Sequence, residues 1–280
     1  MNQNKKIKKI LLKARKQVFG EMLGNNASLF QGEGFEFTEL REYVYGDDVR
    51  KIDWKTTAKL GKPFVKIYRE ERELNVVTAV MMGGSCYFGT VKQKSEIMSE
   101  LVALIGFSAV KNSDLFSNII FADKLYTMNK PHKKFFAIQE AVTQLENFEM
   151  LGKKSDYKLF TDTLYKRIKR KSLLFIISDF VGEVDLGLLS KKHDLVALIV
   201  RDRFEEKPLE LGYLRVLDME SKNSFEGNIG KSELKAYQQA LHLNDEKLLA
   251  HFKKNAVRYT KVYTNDEPYL KLAGLLGGGR

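Results

Sequence analysis

Four short, nearly continuous apolar runs constrain the fold of this chain more than any other feature. They are Leu74 to Met82, Leu115 to Ala122, Leu173 to Ile177 and Leu195 to Val200. Between them, apolar residues recur at helical spacing within residues 92–111, 133–148, 157–168 and 186–189. Buried strands that alternate with helices are typical of βαβ units. The pattern therefore predicts an α/β fold, with a doubly wound, mainly parallel sheet and helices on both faces, over residues 72–202.

The two flanking segments have a different character. Residues 1–71 combine a basic amphipathic stretch with a segment rich in Gly, charged and aromatic residues, which indicates short strands and turns. Residues 203–280 predict a hairpin, a helix, a strand and a last helix that complete the fold. We therefore expect three parts, 1–71, 72–202 and 203–280, with a small β-rich accessory region supplied by the flanks.

The composition indicates a globular protein of the cytoplasm. Hydrophobic residues make up 44% of the chain, which is too apolar for a disordered protein. The longest apolar stretch, Leu101 to Val110, is about half of the roughly 20 residues that a membrane span needs. We expect neither a transmembrane segment nor a signal peptide. Cys86 is the only cysteine, so no intrachain disulfide can form.

The formal net charge of +11 is concentrated in two places. Residues 1–20 contain seven basic and no acidic side chains, and a second basic run lies at Lys166 to Lys171. The apolar residues of the first segment fall at helical spacing: Ile7, Ile10, Leu11, Ala14, Val18 and Met22. This pattern predicts an amphipathic helix packed on the domain with a solvated basic face. The alternative is a surface for nucleic acid, anionic lipid or an acidic protein.

The most specific motif runs from Gly32 to Trp54. It contains a Gly-x-Gly pair, a Phe, a Leu-Arg-Glu-Tyr core, a Gly-Asp-Asp turn and an Arg-x-Ile-Asp-Trp ending. This arrangement resembles the signature of the bacterial domain-of-unknown-function family 58 (DUF58). The similarity continues at Ser178-Asp179-Phe180 and at Arg201-Asp202 and covers nearly the whole chain. The resemblance implies a von Willebrand factor A-like fold and an association with MoxR-type AAA+ ATPases.

The resemblance also implies a divalent-cation site at the carboxyl ends of the strands. In von Willebrand-type domains, an Asp-x-Ser-x-Ser loop, a Ser or Thr and a later Asp hold the metal. The candidate ligands here are Ser85, Ser155 and Asp179, but Met81 stands where the first Asp is expected. A thioether cannot replace a carboxylate as a ligand for Mg²⁺. We therefore expect a crevice that requires no cofactor, with retention of Mg²⁺ as the alternative.

The charged residues of the signature have two interpretations. Adjacent aspartates in a Gly-Asp-Asp sequence suit a turn, so we expect Asp47 to cap a helical turn at Val49 to Lys51. Arg41 and Arg50 are then expected to pair with Asp48 or Asp53, and Trp54 is expected to be a core or interdomain anchor rather than an exposed hot spot. The second interpretation is contact with a partner protein. Its candidate residues are Arg41, Asp47, Asp48, Arg50, Asp53 and Trp54.

These observations predict a protein that is not an enzyme. The chain lacks a Gly-x-x-x-x-Gly-Lys-Ser/Thr phosphate-binding loop, so an associated ATPase must be a separate protein. We expect an adaptor or substrate-recruiting partner of a MoxR-type AAA+ ATPase, acting on client proteins in assembly, maturation or stress remodelling. The alternative is a nucleic-acid or anionic-surface binder that uses the basic N-terminal helix, with an affinity that falls steeply with salt. An enzyme using Asp47, Asp48 or Asp179 has no supporting constellation.

Overall fold

A computed structural model describes residues 3–20, 37–68, 73–210 and 212–277. The chain divides into a larger unit, residues 1–30 and 75–280, and a smaller unit, residues 31–74. The described helices are α1 (Gln3–Gly20), α2 (Trp54–Leu60), α3 (Lys94–Lys111), α4 (Phe135–Glu146), α5 (Tyr157–Arg167), α6 (Gly187–Lys192), α7 (Arg203–Glu206), α8 (Lys231–Lys254) and α9 (Pro268–Gly277). The described strands are β1 (Phe37–Glu42), β2 (Phe64–Tyr68), β3 (Asn75–Met81), β4 (Leu115–Phe121), β5 (Leu125–Met128), β6 (Leu173–Ser178), β7 (Asp194–Arg201), β8 (Gly212–Leu217), β9 (Ser224–Ile229) and β10 (Arg258–Tyr263).

The central sheet of the larger unit has the strand order β10-β7-β6-β3-β4-β5 in the described part of the chain. All neighbouring strands are parallel except β4 and β5. The four predicted buried strands are confirmed as β3, β4, β6 and β7. The antiparallel edge strand β5 was not predicted, because it is only four residues long and half-buried. Residues 203–280 form the predicted hairpin, helix, strand and last helix, and their strand β10 is the other edge of the sheet.

Helices cover both faces of this sheet. Alternate residues of β3, Val77, Ala79 and Met81, pack in one cluster with side chains of α5, α6 and α8. Helix α3 contacts β3, β4 and β7, and α1, α4 and α9 pack on α3 in turn. As a result α3 is buried almost throughout, from Lys94 to Ala109. The mixed α/β architecture with a mostly parallel central sheet agrees with the sequence prediction.

The basic N-terminal segment forms α1, which packs on α3 and α4 through Ile7, Ile10, Ala14 and Val18. The predicted amphipathic helix is therefore confirmed, although Met22 lies outside the described residues. Residues 1–71 were expected to form one part, but α1 belongs to the larger unit, because its apolar stripe is buried there. In the described part of the chain, no helix combines the length and apolarity that crossing a membrane requires.

The smaller unit contains an antiparallel pair, β1 and β2, with α2 between them along the chain. A 3-10 turn at Val49–Lys51 and α2 each begin at an aspartate, Asp48 and Asp53. Helix α2 ends at Gly61, whose φ of 70° lies in the left-handed region that glycine adopts without strain. The strands and turns agree with the prediction, whereas the seven-residue α2 was not predicted. Gly32 and Gly34 of the signature lie outside the described residues.

Candidate functional site

Polar side chains meet where three parallel strands end. Ser85 follows β3, Asp179 follows β6 and Glu205 lies in α7 after β7. The Ser85 hydroxyl donates a hydrogen bond of 2.7 Å to Oδ2 of Asp179. Two of the three predicted ligands therefore share the crevice expected at the carboxyl ends of the strands. We call Ser85, Lys94, Asp179 and Glu205 the strand-end cluster.

Lys94, the first residue of α3, is the centre of this cluster. Its Nζ lies 3.0 Å from Oδ2 of Asp179 and 2.7 Å from Oε1 of Glu205. The second oxygen of Glu205 accepts a hydrogen bond of 2.8 Å from the backbone N–H of Asp202. Lys94 is fully buried, which is rare for a lysine and requires such pairing. Neither Lys94 nor Glu205 stands out in the sequence, since nothing in the local sequence marks either as buried or paired.

A second layer of polar groups fixes the Asp179 carboxylate. The Tyr157 hydroxyl donates to Oδ1 of Asp179 at 3.3 Å and shares a hydrogen bond of 2.7 Å with Ser178. Arg201 is also fully buried, and its Nη2 donates to Asp245 at 2.9 Å. Its Nε and Nη1 have no partner among the described residues. The cluster is therefore a buried network of alternating charges rather than a solvated patch.

The electrostatics keep the central pair ionised at neutral pH. Burial alone would raise the pKa of Asp179, but the Lys94 ammonium, the Ser85 hydroxyl and the Arg201 guanidinium lower it to about 2. Burial alone would lower the pKa of Lys94, but the Asp179 and Glu205 carboxylates raise it above its ordinary value. Burial and the Asp179 charge raise the pKa of Tyr157, so its phenol stays protonated. The cluster thus holds one ammonium between two carboxylates.

These residues do not fit the divalent-cation site that the resemblance implies. The side chain of Met81 is buried in the core with Phe121. Ser155 lies against Gly83, and the described residues that donate to the Asp179 carboxylate are Ser85, Lys94 and Tyr157, not Ser155. No group of three or more His, Cys, Asp or Glu among the described residues is placed to hold a metal. The Lys94 ammonium lies between the oxygens that a metal would need.

The turn between β8 and β9 closes over the cluster from one side. A Cβ on Gly84 would collide with the backbone of Met219 in this turn, so the loop after β3 and the turn are in close contact. The next residue, Glu220, lies beside Gly83. Burial, followed by the charges of Asp179 and Asp218, raises the pKa of Glu220. The hairpin therefore adds a third acidic group near the cluster.

The charged signature residues form local pairs within the smaller unit. Arg41 Nη2 contacts both oxygens of Asp47, at 2.8 and 3.0 Å. Arg50 contacts both oxygens of Asp48, each at 3.0 Å. The expected pairing of Arg41 with Asp48 or Asp53 is wrong, since Arg41 pairs with Asp47 and Asp53 caps α2. The cap of the 3-10 turn is Asp48 rather than Asp47, because the Asp47 carboxylate instead accepts the backbone N–H of Val44.

The same unit exposes large apolar side chains. Trp54 is 68% exposed, so the expectation of a core anchor is wrong, and a role as an interdomain anchor stays a prediction. As the first residue of α2, Trp54 lies in the open first turn of a short helix, where no described residue encloses it. Tyr45, Val44 and Val49 are also exposed. Contact of Trp54 with a partner stays a prediction.

An apolar groove of about 620 Å³ borders the strand-end cluster. Its walls come from the loop after β3, from α7 and the segment that follows it, from the β8–β9 hairpin and from the start of α8. Its lining includes Phe88, Phe204, Leu209, Phe225, Leu234 and Tyr237. Leu209 and Phe225 are 69% and 61% exposed. The groove could not be predicted from the sequence, because apolar residues in a hairpin and a connection look the same whether they are buried or exposed.

Two solved structures are distantly similar to this chain. BatB from Bacteroides thetaiotaomicron has 12% sequence identity and a TM-score of 0.45, and the match covers 73% of this chain and 98% of that chain. An aerotolerance-related membrane protein from Bacteroides fragilis has 12% identity and a TM-score of 0.43, over 72% of this chain and 96% of that one. Likeness at this level supports no conclusion about function.

Proteins found by sequence comparison have a higher identity to this chain than these two structures. Uncharacterized proteins of Mycobacterium tuberculosis and Mycobacterium bovis are 27% identical over 220 residues, which covers 75% of this chain and 68% of each relative. The family described as "Protein of unknown function DUF58" matches residues 39–247, from within β1 into α8. This match includes most of the signature, the strand-end cluster and most of the groove, and it spans well over half of the chain. The chain therefore belongs to the DUF58 family.

Proposed function

We propose that this chain is a non-enzymatic protein-interaction module that binds a partner polypeptide in the apolar groove. The observation that carries the proposal is the groove itself, in which Leu209, Phe225 and Tyr237 expose apolar surface beside one another. Exposed apolar patches on folded proteins mark interaction sites. A groove rather than a flat patch suits an inserted helix or extended segment.

The charges in the groove favour an apolar occupant. Glu205 and Glu233 line it, but both carboxylates have internal partners. Glu205 binds Lys94, and Glu233 accepts hydrogen bonds from the backbone N–H of Gly230 and the hydroxyl of Ser232. The remaining lining is almost entirely apolar. The occupant is therefore a stretch of partner chain with apolar side chains on the inserted face.

The ionisation of the strand-end cluster favours a function without catalysis. A general acid or base works best when its pKa lies near the working pH. The pKa of Asp179 is lowered to about 2 and that of Lys94 is raised, so neither exchanges a proton near neutral pH. Burial raises the pKa of Cys86, which disfavours the reactive thiolate. These pKa directions support a structural rather than an acid–base role for Asp179, Lys94 and Cys86.

The partner we propose is a MoxR-type AAA+ ATPase, to which this chain recruits client proteins for assembly, maturation or stress remodelling. This choice rests on the family resemblance at the signature between Gly32 and Trp54. The exposed side chains of Trp54 and Tyr45 give the smaller unit a surface for a second contact. An adaptor needs two such surfaces, one for the ATPase and one for the client.

The test is the affinity of the chain for the purified ATPase of the same organism, measured by biolayer interferometry at moderate salt. We expect Leu209→Asp and Phe225→Asp to weaken binding at least about tenfold, since each places a charge in an apolar contact. The matched control is Tyr213→Asp, which alters an equally exposed residue of the same hairpin outside the groove lining. Wild-type affinity in both groove variants would contradict the proposal.

A second candidate function is binding to nucleic acid or an anionic surface through α1. The observation that favours it is the exposed residue Leu12 surrounded by lysines of the same helix face: Lys5, Lys8, Lys9, Lys13 and Lys16. Such binding must weaken steeply with salt, because it releases counterions. Retention of duplex DNA or anionic vesicles that disappears between low and moderate salt, with no ATPase binding, would favour this candidate over the adaptor.

A further inference from the structure

We propose that Lys94 is a built-in cation, whose ammonium takes the place of a divalent metal ion at the strand ends of this chain. Two segments that follow parallel strands meet at its Nζ, and a third is linked to it through Asp179. Asp179 and Glu205 bind it directly, and Ser85 binds the same Asp179 oxygen. In this way one internal charge holds together the loops that follow β3, β6 and β7.

The position of Lys94 is unfavourable for a lysine in two respects. Full burial of a lysine is unfavourable unless the charge is paired. The start of a helix is also unfavourable for a positive side chain, because the helix dipole is positive there. Both effects oppose Lys94 at the first position of α3. The Asp179 and Glu205 carboxylates compensate for both effects, so the charge of Lys94 accounts for its position better than helix formation or packing does.

Two consequences follow for the crevice. The Lys94 ammonium places a positive charge beside the Asp179 and Glu205 carboxylates without a metal. The ammonium is also fully buried, so no carboxylate of a partner protein can reach it. Removal of the lysine side chain leaves two carboxylates and a hydroxyl around an empty space, which is the type of ligand set that hard divalent cations prefer. In the wild-type chain, the Lys94 side chain therefore occupies the space in which a cation would bind once that side chain is removed.

The experiment is a thermal unfolding series with Mn²⁺, with methylammonium and with EDTA. The melting temperature of the wild-type chain should not change with any of them. Lys94→Ala should melt lower than wild type and recover by at least about 3 °C with Mn²⁺ or methylammonium, and EDTA should reverse the effect of Mn²⁺. The matched control is Lys92→Ala, two residues earlier, whose ion pair with Glu100 is partly exposed. Neither Mn²⁺ nor methylammonium should raise the melting temperature of Lys92→Ala.

Three results would overturn the proposal. Stabilisation of the wild-type chain by Mn²⁺ would show that the crevice takes a metal beside Lys94. A folded Lys94→Ala chain that gains nothing from either cation would show that no cation site exists. If Lys94→Ala does not fold, the double variant Lys94→Met/Asp179→Asn decides, because it removes a charge of each sign. Recovery of the folded circular dichroism spectrum in the double variant supports the proposal, and continued failure to fold contradicts it.

Discussion

Substitution of Lys94 by methionine tests the energetics of the strand-end cluster directly. Methionine has a similar length but no charge, so Asp179 and Glu205 lose their buried counterion. Loss of one partner of a buried ion pair destabilises a protein by about 3–5 kcal/mol. The pKa of Asp179, about 2 instead of the ordinary 3.8, corresponds to about 2 kcal/mol of stabilisation from this carboxylate alone. We therefore expect Lys94→Met to lose at least about 3 kcal/mol of unfolding free energy at pH 7.

The pH dependence separates this charge effect from a packing defect. In wild type the pKa of Asp179 is lower in the folded chain, so its stabilisation is complete above about pH 4 and is lost as the pH falls toward about 2. In Lys94→Met, Asp179 loses the largest of the contributions that lower its pKa, so we expect burial to raise that pKa above its ordinary value. The folded variant then binds protons more tightly than the unfolded chain. The stability difference between variant and wild type should therefore narrow from pH 7 to pH 5.

Urea titrations followed by circular dichroism at the two pH values measure both effects. Lys92→Met is the control, because its partner Glu100 keeps an ion pair with Lys13. It should lose no more than about 1 kcal/mol, with little change between the two pH values. A loss below about 1 kcal/mol in Lys94→Met, or a difference that stays constant with pH, would refute the assignment of a buried counterion.

Three further predictions concern the surroundings of the cluster and the smaller unit. Cys86 is buried with a raised pKa, so a thiol reagent should modify it only after unfolding, and rapid reaction of the native chain would contradict this. Gly84→Ala should lower the unfolding free energy by about 1–3 kcal/mol, since the new Cβ meets the Met219 backbone, whereas Gly274→Ala in α9 meets no neighbouring atom and should be neutral or stabilising. Iodide should quench the fluorescence of Trp54, the only tryptophan, as strongly as that of a free indole, and a shielded tryptophan would show that a partner or a second copy covers it.

The parts of the fold that could be predicted are those whose signal lies in consecutive residues. Strands β3, β4, β6 and β7 are buried on both faces, so nearly every residue is apolar and the runs stand out. The edge strand β5 and the short helix α2 carry no such pattern, because few of their residues are buried. Local sequence identifies elements that build the core and misses those that only border it.

The residues of the candidate site also differ in whether local sequence could predict them. Ser85 and Asp179 could be predicted, since each follows a buried strand and parallel strands end at one edge of the sheet. The burial of Lys94 arises from loops that are far apart in the sequence, and so does its pairing with Glu205 over 111 positions. The chain has 47 lysines and arginines, and no local pattern separates this one from the others. Met81 stands where the resemblance leads one to expect an Asp, which indicates that a metal ligand is missing. It does not indicate that a lysine supplies the positive charge at the strand ends.

The built-in cation also bears on where this chain can recognise a partner. A metal with an open coordination position offers a partner carboxylate a bond, whereas a buried ammonium with two carboxylates offers none. Glu205 binds Lys94 with one oxygen and the backbone of Asp202 with the other, and the same residue lines the apolar groove. The cluster therefore fixes the position of α7, and α7 forms one wall of the groove. In the proposed interaction, recognition then depends on apolar shape, and Lys94 contributes by holding that wall of the groove in place.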